Sequence, residues 1–365
     1  MLGRVLCGKI QLHITNMLSA ALGYNGLSTC RPRDEWPMKI ERRVYLGVPA
    51  AVLAGSVLFA YFSYRDEIGA AEARVSSGSE VADTPCGRIE YSVIGKGPPV
   101  LLVHGAGGGF DQGLEFGRPL AERGFRVIAM SRFGYLRTPL PADASPAAQA
   151  DAHACLLDAL KLSGAAILGG SAGAPSTIEF CLRHAKRCSA MVLLVPALFP
   201  PGASQLRPAE SPSLMFDWIV GSDFFFWLNL KLARGTMLER LFATPVRDFD
   251  NAPREEQERV LRVMRSALPV SRRRKGLWND LVIVASSPRY ALERLATPTL
   301  VISIEDDLFG TYESSRSAAE RMPGARFVNF PTGGHLWAGR QKEVVSETTK
   351  FLSDAYSRPS THGGA

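Results

Sequence analysis

From Arg88 onward the chain alternates short apolar runs with helical stretches, and this alternation limits the fold more than any other feature. Arg88–Ile94 alternates in polarity like a half-buried strand, and the GKGPP that follows reads as a turn. Val100–Val103, Arg126–Met130, Ala165–Leu168, Met191–Val195, Thr299–Ile304 and Arg326–Phe330 read as further strands. Helical periodicity fills the gaps at Gln112–Arg123, Ser145–Leu162, 174–186, Tyr312–Arg321 and Lys342–Tyr356. Strands joined by helices pair in parallel, and a parallel sheet needs helices on both faces. The alternation lapses once, over 202–295, in an aromatic, helical stretch too long for a loop. An α/β core at 87–201 and 296–356, carrying a helical cap at 202–295, is the predicted plan.

The N-terminal part reads differently. Val44 to Tyr64 carries no charged residue. At about 1.5 Å per residue it matches the ~30 Å hydrocarbon core, so it is expected to be a transmembrane helix, with Pro49 in its first turns. Arg42 and Arg43 precede it, which predicts a cytoplasmic N-terminus with the folded part outside. A basic leader before a single anchor fits a bacterial inner membrane, with the folded part on the periplasmic side. A cleaved signal peptide and a buried core helix are the rivals. Met38 begins MKIERR, a compact basic start, so 1–37 reads as a mis-called extension within the leader 1–43. Residues 65–86 are polar and small and read as a linker, and the tail 357–365 as disordered.

Cysteine and charge exclude other classes. Six Cys in 365 residues are too sparse for a disulfide scaffold. If the bulk is exported, Cys86, Cys155, Cys181 and Cys188 allow three pairings, which stay open beside buried free thiols. The formal net charge is +7, but residues 1–43 carry seven Lys/Arg against three acids, so the remainder is only +3. That is no concentrated basic face, and no nucleic-acid partner is expected.

Gly169-Gly170-Ser171-Ala172-Gly173 follows an apolar strand and opens a helix. G-x-S-x-G in that context is a sharp turn that lifts a serine off the backbone, with small neighbours where strand and helix nearly touch. The helix N-terminus behind Ser171 favours developing negative charge. A serine needs a base to become a nucleophile. His13 precedes the apolar segment, His362 lies in the tail, and His153 and His184 fall inside helical patterns. His335, in Gly333-Gly334-His335-Leu336-Trp337 just past the last strand, is the candidate base. The base needs a carboxylate to fix its tautomer. Thr299–Ile304 ends in Glu305-Asp306-Asp307, of which Asp307 is chosen; Glu305 and Asp306 are its competitors. His104-Gly105-Ala106-Gly107-Gly108-Gly109 follows the Val100–Val103 strand. A glycine-rich turn there points backbone N–H groups at one spot, and Ala106 and Ala172 are the candidate oxyanion donors. His104, Gly105 and Gly107 support the turn. A phosphate loop is a weak rival, because no G-K-[ST] follows the glycines.

With these elements together, residues 86–356 resemble the α/β-hydrolase fold family, in the branch with a helical cap after the sixth of eight strands. HGAGGG, Ser131-Arg132-Phe133-Gly134-Tyr135, GGSAGA, PTLVISIEDD and GGHLW carry the resemblance. It implies a mostly parallel eight-stranded sheet and a Ser-His-Asp hydrolase whose cap closes over the pocket. The family's dehalogenases and epoxide hydrolases use Asp at the elbow, and Ser171 argues against both.

The expected reaction is acyl transfer to water through an acyl-enzyme on Ser171, which calls for no metal or organic cofactor. Phe199, Met215, Phe216, Trp218, Phe224, Phe225 and Trp227 either line an apolar substrate pocket or hold the cap to the sheet. Arg272-Arg273-Arg274-Lys275 either meets anionic headgroups or is a solvated helix face. A hydrolase of small to medium apolar carboxylic esters leads. Hydrolysis of a C–C bond, amide or lactone is the alternative, and a non-catalytic binder the third reading. A C–C hydrolase has to hold a substrate carboxylate, so an arginine facing the pocket would favour it.

Overall fold

The computed structural model describes residues 41–198, 220–286 and 289–357, with residues 41–51 and 285 described by their backbone alone. The leader with its start at Met38, the segment 199–219 with Phe199, Met215, Phe216 and Trp218, and the tail after Ser357 lie outside the described residues.

Eight strands form one sheet: β1 (Glu80–Thr84), β2 (Gly87–Ile94), β3 (Pro99–Val103), β4 (Arg126–Met130), β5 (Ala165–Gly170), β6 (Cys188–Leu194), β7 (Thr299–Ile304) and β8 (Arg326–Phe330). Their order is β1-β2-β4-β3-β5-β6-β7-β8. β1, β2 and β4 pair antiparallel, and every pairing from β4 to β8 is parallel. The side-chain period of two sends alternate strand residues to opposite faces. Leu101, Ile128 and Ile167 pack with Leu156 of α3 (Pro146–Ala159) and Ile178 of α4 (Ala174–Arg183). Val100, Leu102, Val127 and Leu168 pack with Leu120 of α2 (Phe110–Ala121) and Leu352 on the C-terminal helix. Both faces are therefore covered, as a parallel sheet requires.

Among the described residues between β6 and β7 are the helices α5 (Asp223–Leu232), α6 (Arg234–Arg240), α7 (Val246–Asn251), α8 (Arg254–Ser266) and α9 (Arg274–Ser286). They have their own core, including Phe226, Trp227, Leu238, Phe249, Val260 and Val263. α10 (Thr311–Arg321) follows β7, and α11 (Gln341–Ser357) ends the described chain.

Two expectations need correcting. Residues 65–86 are not a linker: the helix α1 (Glu41–Ser77) runs through them, followed by β1. Ala71 and Val75 of that helix are buried. β1 is a short edge strand, and the antiparallel pairing of Glu80 with Tyr91 and of Thr84 with Gly87 gives it order that its polar composition hides. The transmembrane helix expected over 44–64 is not supported either, since no helix among the described residues is long and apolar enough to cross a membrane. The end of the apolar run has a protein partner instead: Ala60 and Tyr64, with Ile68 beyond them, pack against the cap core. The chain divides between Phe59 and Ala60 into two units, and in the first Val52, Leu53, Val57, Leu58 and Phe59 are exposed.

The four cysteines of the folded part pair as Cys86–Cys155 and Cys181–Cys188. The first ties the β1–β2 turn to α3, and the second ties the end of α4 to the start of β6.

Candidate active site

Ser171 sits where β5 gives way to a 3-10 turn, Ser171–Gly173, that runs directly into α4. Its φ of 47° is left-handed, a conformation that costs a non-glycine residue of order 1–3 kcal/mol and occurs mainly at functional sites. The flanking glycines are required by space. A Cβ on Gly169 would lie 2.3 Å from Thr177 Oγ1, and one on Gly173 would lie 2.6 Å from the Val103 carbonyl oxygen. A Cβ on Gly170 would meet nothing within 4 Å. The elbow therefore has two obligatory glycines and one free position.

β7 and β8 are neighbours, with Ile304 paired to Phe330, so the loops leaving their C-terminal ends emerge side by side. The first carries Asp307 and the second His335. His335 Nδ1–H donates to Asp307 Oδ2 at 2.7 Å, which leaves Nε2 as the acceptor on the free side of the ring. Asp307 also accepts from Thr311 Oγ1 at 2.5 Å and from the Phe309 N–H at 2.9 Å. Burial pushes the Asp307 carboxyl up, but the attraction of His335 and the hydrogen bonds from His335, Thr311 and Phe309 outweigh it. The net effect holds Asp307 below the ordinary aspartate value of 3.8. The two competing acids do other work. Glu305 accepts from Asn329 Nδ2, and Asp306 accepts from the Gly334 N–H at 2.9 Å, fixing the loop that carries His335. The ring of Phe309 meets His335 edge-on at 4.8 Å.

The turn after β3 approaches Ser171 closely: a Cβ on Gly105 would lie 3.1 Å from Ser171 Cβ. Gly107 takes φ +70°. The Gly107 N–H donates to Tyr135 Oη at 3.1 Å, and the Gly105 carbonyl accepts from Arg132 Nη2 at 3.2 Å. Between them Ala106 N–H has no protein acceptor among the described residues. His104 is buried, with Nδ1 2.7 Å from the Gly105 carbonyl and Nε2 accepting from the Arg132 N–H at 3.0 Å. Burial, reinforced by the Arg132 charge, holds its pKa well below 6.5, so it is a neutral structural residue.

Ser171, His335, Gly105, Ala106 and Gly107 line one cleft. The cavity itself measures about 130 Å³, below the ~300–1,000 Å³ range of drug-sized ligand sites, and it opens at its mouth. Its walls are apolar, with Phe116, Val195, Val220, Phe226, Phe242 and Trp337 among them. Of the expected pocket aromatics, Phe224 and Trp227 are not in this wall. Phe224 is exposed and Trp227 is buried, and both meet the ring of Tyr64 of α1 edge-on. Of the four adjacent aromatics Phe224, Phe225, Phe226 and Trp227, it is Phe226 that lines the cleft, because a helix turns successive residues about 100° apart. The basic run is not a headgroup-binding face as a whole. Arg273 is buried, paired with Asp111 at 2.8 Å, and lines the cleft, while Arg272 pairs with Glu72. Sequence reasoning missed the roles of Phe309, Arg132, Tyr135 and Asp280. Arg132 and Tyr135 lay in a noted motif without an assigned task, and only an aspartate amid the apolar residues of 277–284 marked Asp280.

A family model described as alpha/beta hydrolase fold matches residues 98–337. An uncharacterized hydrolase of Bacillus subtilis is 26% identical over 276 residues, covering 73% of this chain and 94% of its own. A 2-hydroxy-6-oxononadienedioate/2-hydroxy-6-oxononatrienedioate hydrolase of Paraburkholderia xenovorans is 26% identical over 280 residues, covering 73% of this chain and 90% of its own. Among solved structures, an alpha/beta hydrolase fold protein from Nakamurella multipartita is 28% identical, with a TM-score of 0.59 over 75% of this chain and 98% of its own.

Proposed function

This chain belongs to the alpha/beta hydrolase fold family and is a hydrolase, and from that premise we propose that it is a serine hydrolase of carboxylic esters with small to medium apolar groups. The observation that carries this reading is one cleft lined by both Ser171 and His335, with His335 Nδ1 bound to Asp307. His335 Nε2 takes the Ser171 hydroxyl proton as Oγ attacks the ester carbonyl. The tetrahedral oxyanion is held by Ala106 N–H and Ala172 N–H. His335 then gives the proton to the departing alkoxide, which leaves as the alcohol. Water repeats the sequence on the acyl-enzyme and releases the acid and free Ser171. Asp307 remains ionised and stabilises the imidazolium. The apolar walls favour apolar acyl or alcohol groups.

A second reading, hydrolysis of a C–C bond in an acidic substrate, has two supports. One is the Paraburkholderia xenovorans relative, named for such a diacid. The other is the guanidinium of Arg273 at the cleft. Its Nη atoms are already taken by Asp111 and by the carbonyls of Gly108 and Leu268, and this ranks the reading second.

The location we propose is outside the cytoplasm, on the periplasmic side of a bacterial inner membrane, with the N-terminal helix at a lipid surface. Two disulfides favour an oxidising compartment, and the exposed Val52, Leu53, Val57, Leu58 and Phe59 favour a lipid contact. A fluorophosphonate probe tests the reaction class. A mass-located adduct on Ser171, lost in His335→Ala, is the expected result, followed by turnover of p-nitrophenyl esters. A folded chain that does not label refutes the serine-hydrolase reading, and labelling with turnover only of vinylogous diketo acids moves it to the C–C class.

A further inference from the structure

The turn that offers Ala106 N–H is held from both sides. Arg132, just past β4, donates through Nε to the His104 carbonyl at 2.8 Å and through Nη2 to the Gly105 carbonyl at 3.2 Å. Tyr135 Oη accepts from the Gly107 N–H at 3.1 Å. Both side chains end on one carboxylate of the cap, Asp280 on α9. Arg132 Nη1 and Nη2 lie 2.6 and 2.7 Å from its Oδ1 and Oδ2, and Tyr135 Oη donates to Oδ2 at 2.5 Å. Arg132, Tyr135 and Asp280 are all buried.

The direction of each proton follows from donor and acceptor inventory. A hydroxyl has one proton, and an ionised carboxylate can only accept. Asp280 takes the Tyr135 proton, so Tyr135 turns a lone pair toward the Gly107 N–H. Burial and then the Asp280 charge push the Tyr135 hydroxyl well above 10, so it stays protonated and donates. Without Asp280 the hydroxyl proton is free to swing toward the turn, where a donor facing the Gly107 N–H would repel it. Arg132 would also lose the partner that sets its fork against the Gly105 carbonyl. The peptides on either side of Ala106 are thus aimed by a residue that belongs to the cap, not to the sheet.

We propose that Asp280 is a positioning residue for the oxyanion donor Ala106, acting through Tyr135 and Arg132, so that the donor is aimed only while the cap helix α9 is seated. This rests on the serine-hydrolase reading above. Its consequence is that binding and chemistry separate: with the latch broken, an ester still enters the apolar cleft, but its oxyanion is poorly held.

Tyr135→Phe in the full chain is the sharpest test, because it removes one oxygen and keeps the ring that meets His104 edge-on at 4.7 Å. Loss of a whole oxyanion donor typically costs about 100- to 1,000-fold in turnover, so misalignment of one is expected to cost about 10- to 100-fold. The rate of fluorophosphonate labelling of Ser171 and kcat for p-nitrophenyl butyrate should fall together, with KM within about twofold of wild type. Asp280→Asn and the double variant complete a cycle. If Asp280 acts through Tyr135, adding Asp280→Asn to Tyr135→Phe lowers the labelling rate much less than it does alone. A folded Tyr135→Phe chain, checked by circular dichroism, that labels at the wild-type rate overturns the proposal, as do fully multiplicative losses. Should Tyr135→Phe not fold, Asp280→Asn labelling at the wild-type rate does the same. A wild-type chain that does not label overturns the serine-hydrolase reading itself, and the positioning role with it.

Discussion

His335 and Asp307 stand 28 residues apart in sequence, yet His335 Nδ1 lies 2.7 Å from Asp307 Oδ2. Adjacent parallel strands bring them together, each residue leaving the C-terminal end of its own strand, where open α/β sheets keep their sites. The buried carboxylate faces three donors, from His335, Thr311 and Phe309, which offset the cost of burying its charge.

Asp307→Asn should therefore lower kcat by about 10³- to 10⁴-fold with little change in KM, because an amide no longer fixes the tautomer that leaves Nε2 basic. The same variant tests pH linkage. A carboxyl held below 3.8 in the folded state contributes stability that is fully present above the unfolded value and is lost as pH falls through the folded one. Urea unfolding should show wild type more stable than the variant at pH 7, with the gap closing below about pH 4. A gap that persists at acid pH would mean that Asp307 acts by packing alone.

The elbow glycines should separate cleanly. Gly173→Ala places a methyl against the backbone carbonyls of Val103 and His104, at 2.6 and 2.7 Å, which cannot rotate away. We expect a loss of about 2 kcal/mol or more from overpacking. Gly170→Ala, with nothing within 4 Å and an ordinary extended φ of −98°, should stay within about 0.5 kcal/mol of wild type. Thermal melts of the two variants side by side decide it, and equal losses would count against the strand–helix contact as the reason for the motif.

The two disulfides should contribute unequally. Cys86–Cys155 closes a separation of 69 residues and Cys181–Cys188 one of 7. Chain-entropy reasoning gives about 4 kcal/mol for the first and about 2 kcal/mol for the second. Paired Cys→Ala variants, unfolded in guanidinium, should lose stability in that order. The reverse order would show that local packing at these cysteines outweighs the loop term.

Asp111 accepts from Arg273 on one side and from Arg74 of α1 on the other, at 2.8 and 3.0 Å. Burial alone would raise its carboxyl, and the two guanidiniums lower it instead. Asp111→Asn leaves Arg273 buried without a counter-charge, so a loss of about 3 kcal/mol is expected. Because Arg273 also donates to the Gly108 carbonyl, labelling of Ser171 should slow as well. Unchanged stability would mean that water or another acceptor replaces the carboxylate.

Much of the core was legible because its signals are local. A buried strand reads as a short apolar run, and the elbow as glycines at fixed offsets around Ser171. Asp307 and His335 were legible because each directly follows such a run. β1 was not, since an edge strand half open to water carries polar residues, and its order comes from pairing with β2 and from Ala82 packing against the core. The apolar run before residue 65 misled for a related reason. Hydropathy measures transfer out of water, and at the end of the run Ala60 and Tyr64 meet that demand against the cap core, while Val52, Leu53, Val57, Leu58 and Phe59 before them stay exposed.

The amino-acid sequence by itself determined the parallel α/β plan, the sharp turn at the serine and the candidate base and acid, because each rests on residue type at short spacing. Only the tertiary structure decided the disulfide pairing, which of Phe224, Phe226 and Trp227 faces the cleft, and the convergence of Arg132, Tyr135 and Asp280 on the oxyanion turn. Arg132 and Asp280 lie 148 residues apart, and no local pattern encodes a contact at that range. It exists because the cap core and the sheet each fix one partner, and burial then makes an unpaired charge on either side too costly to leave.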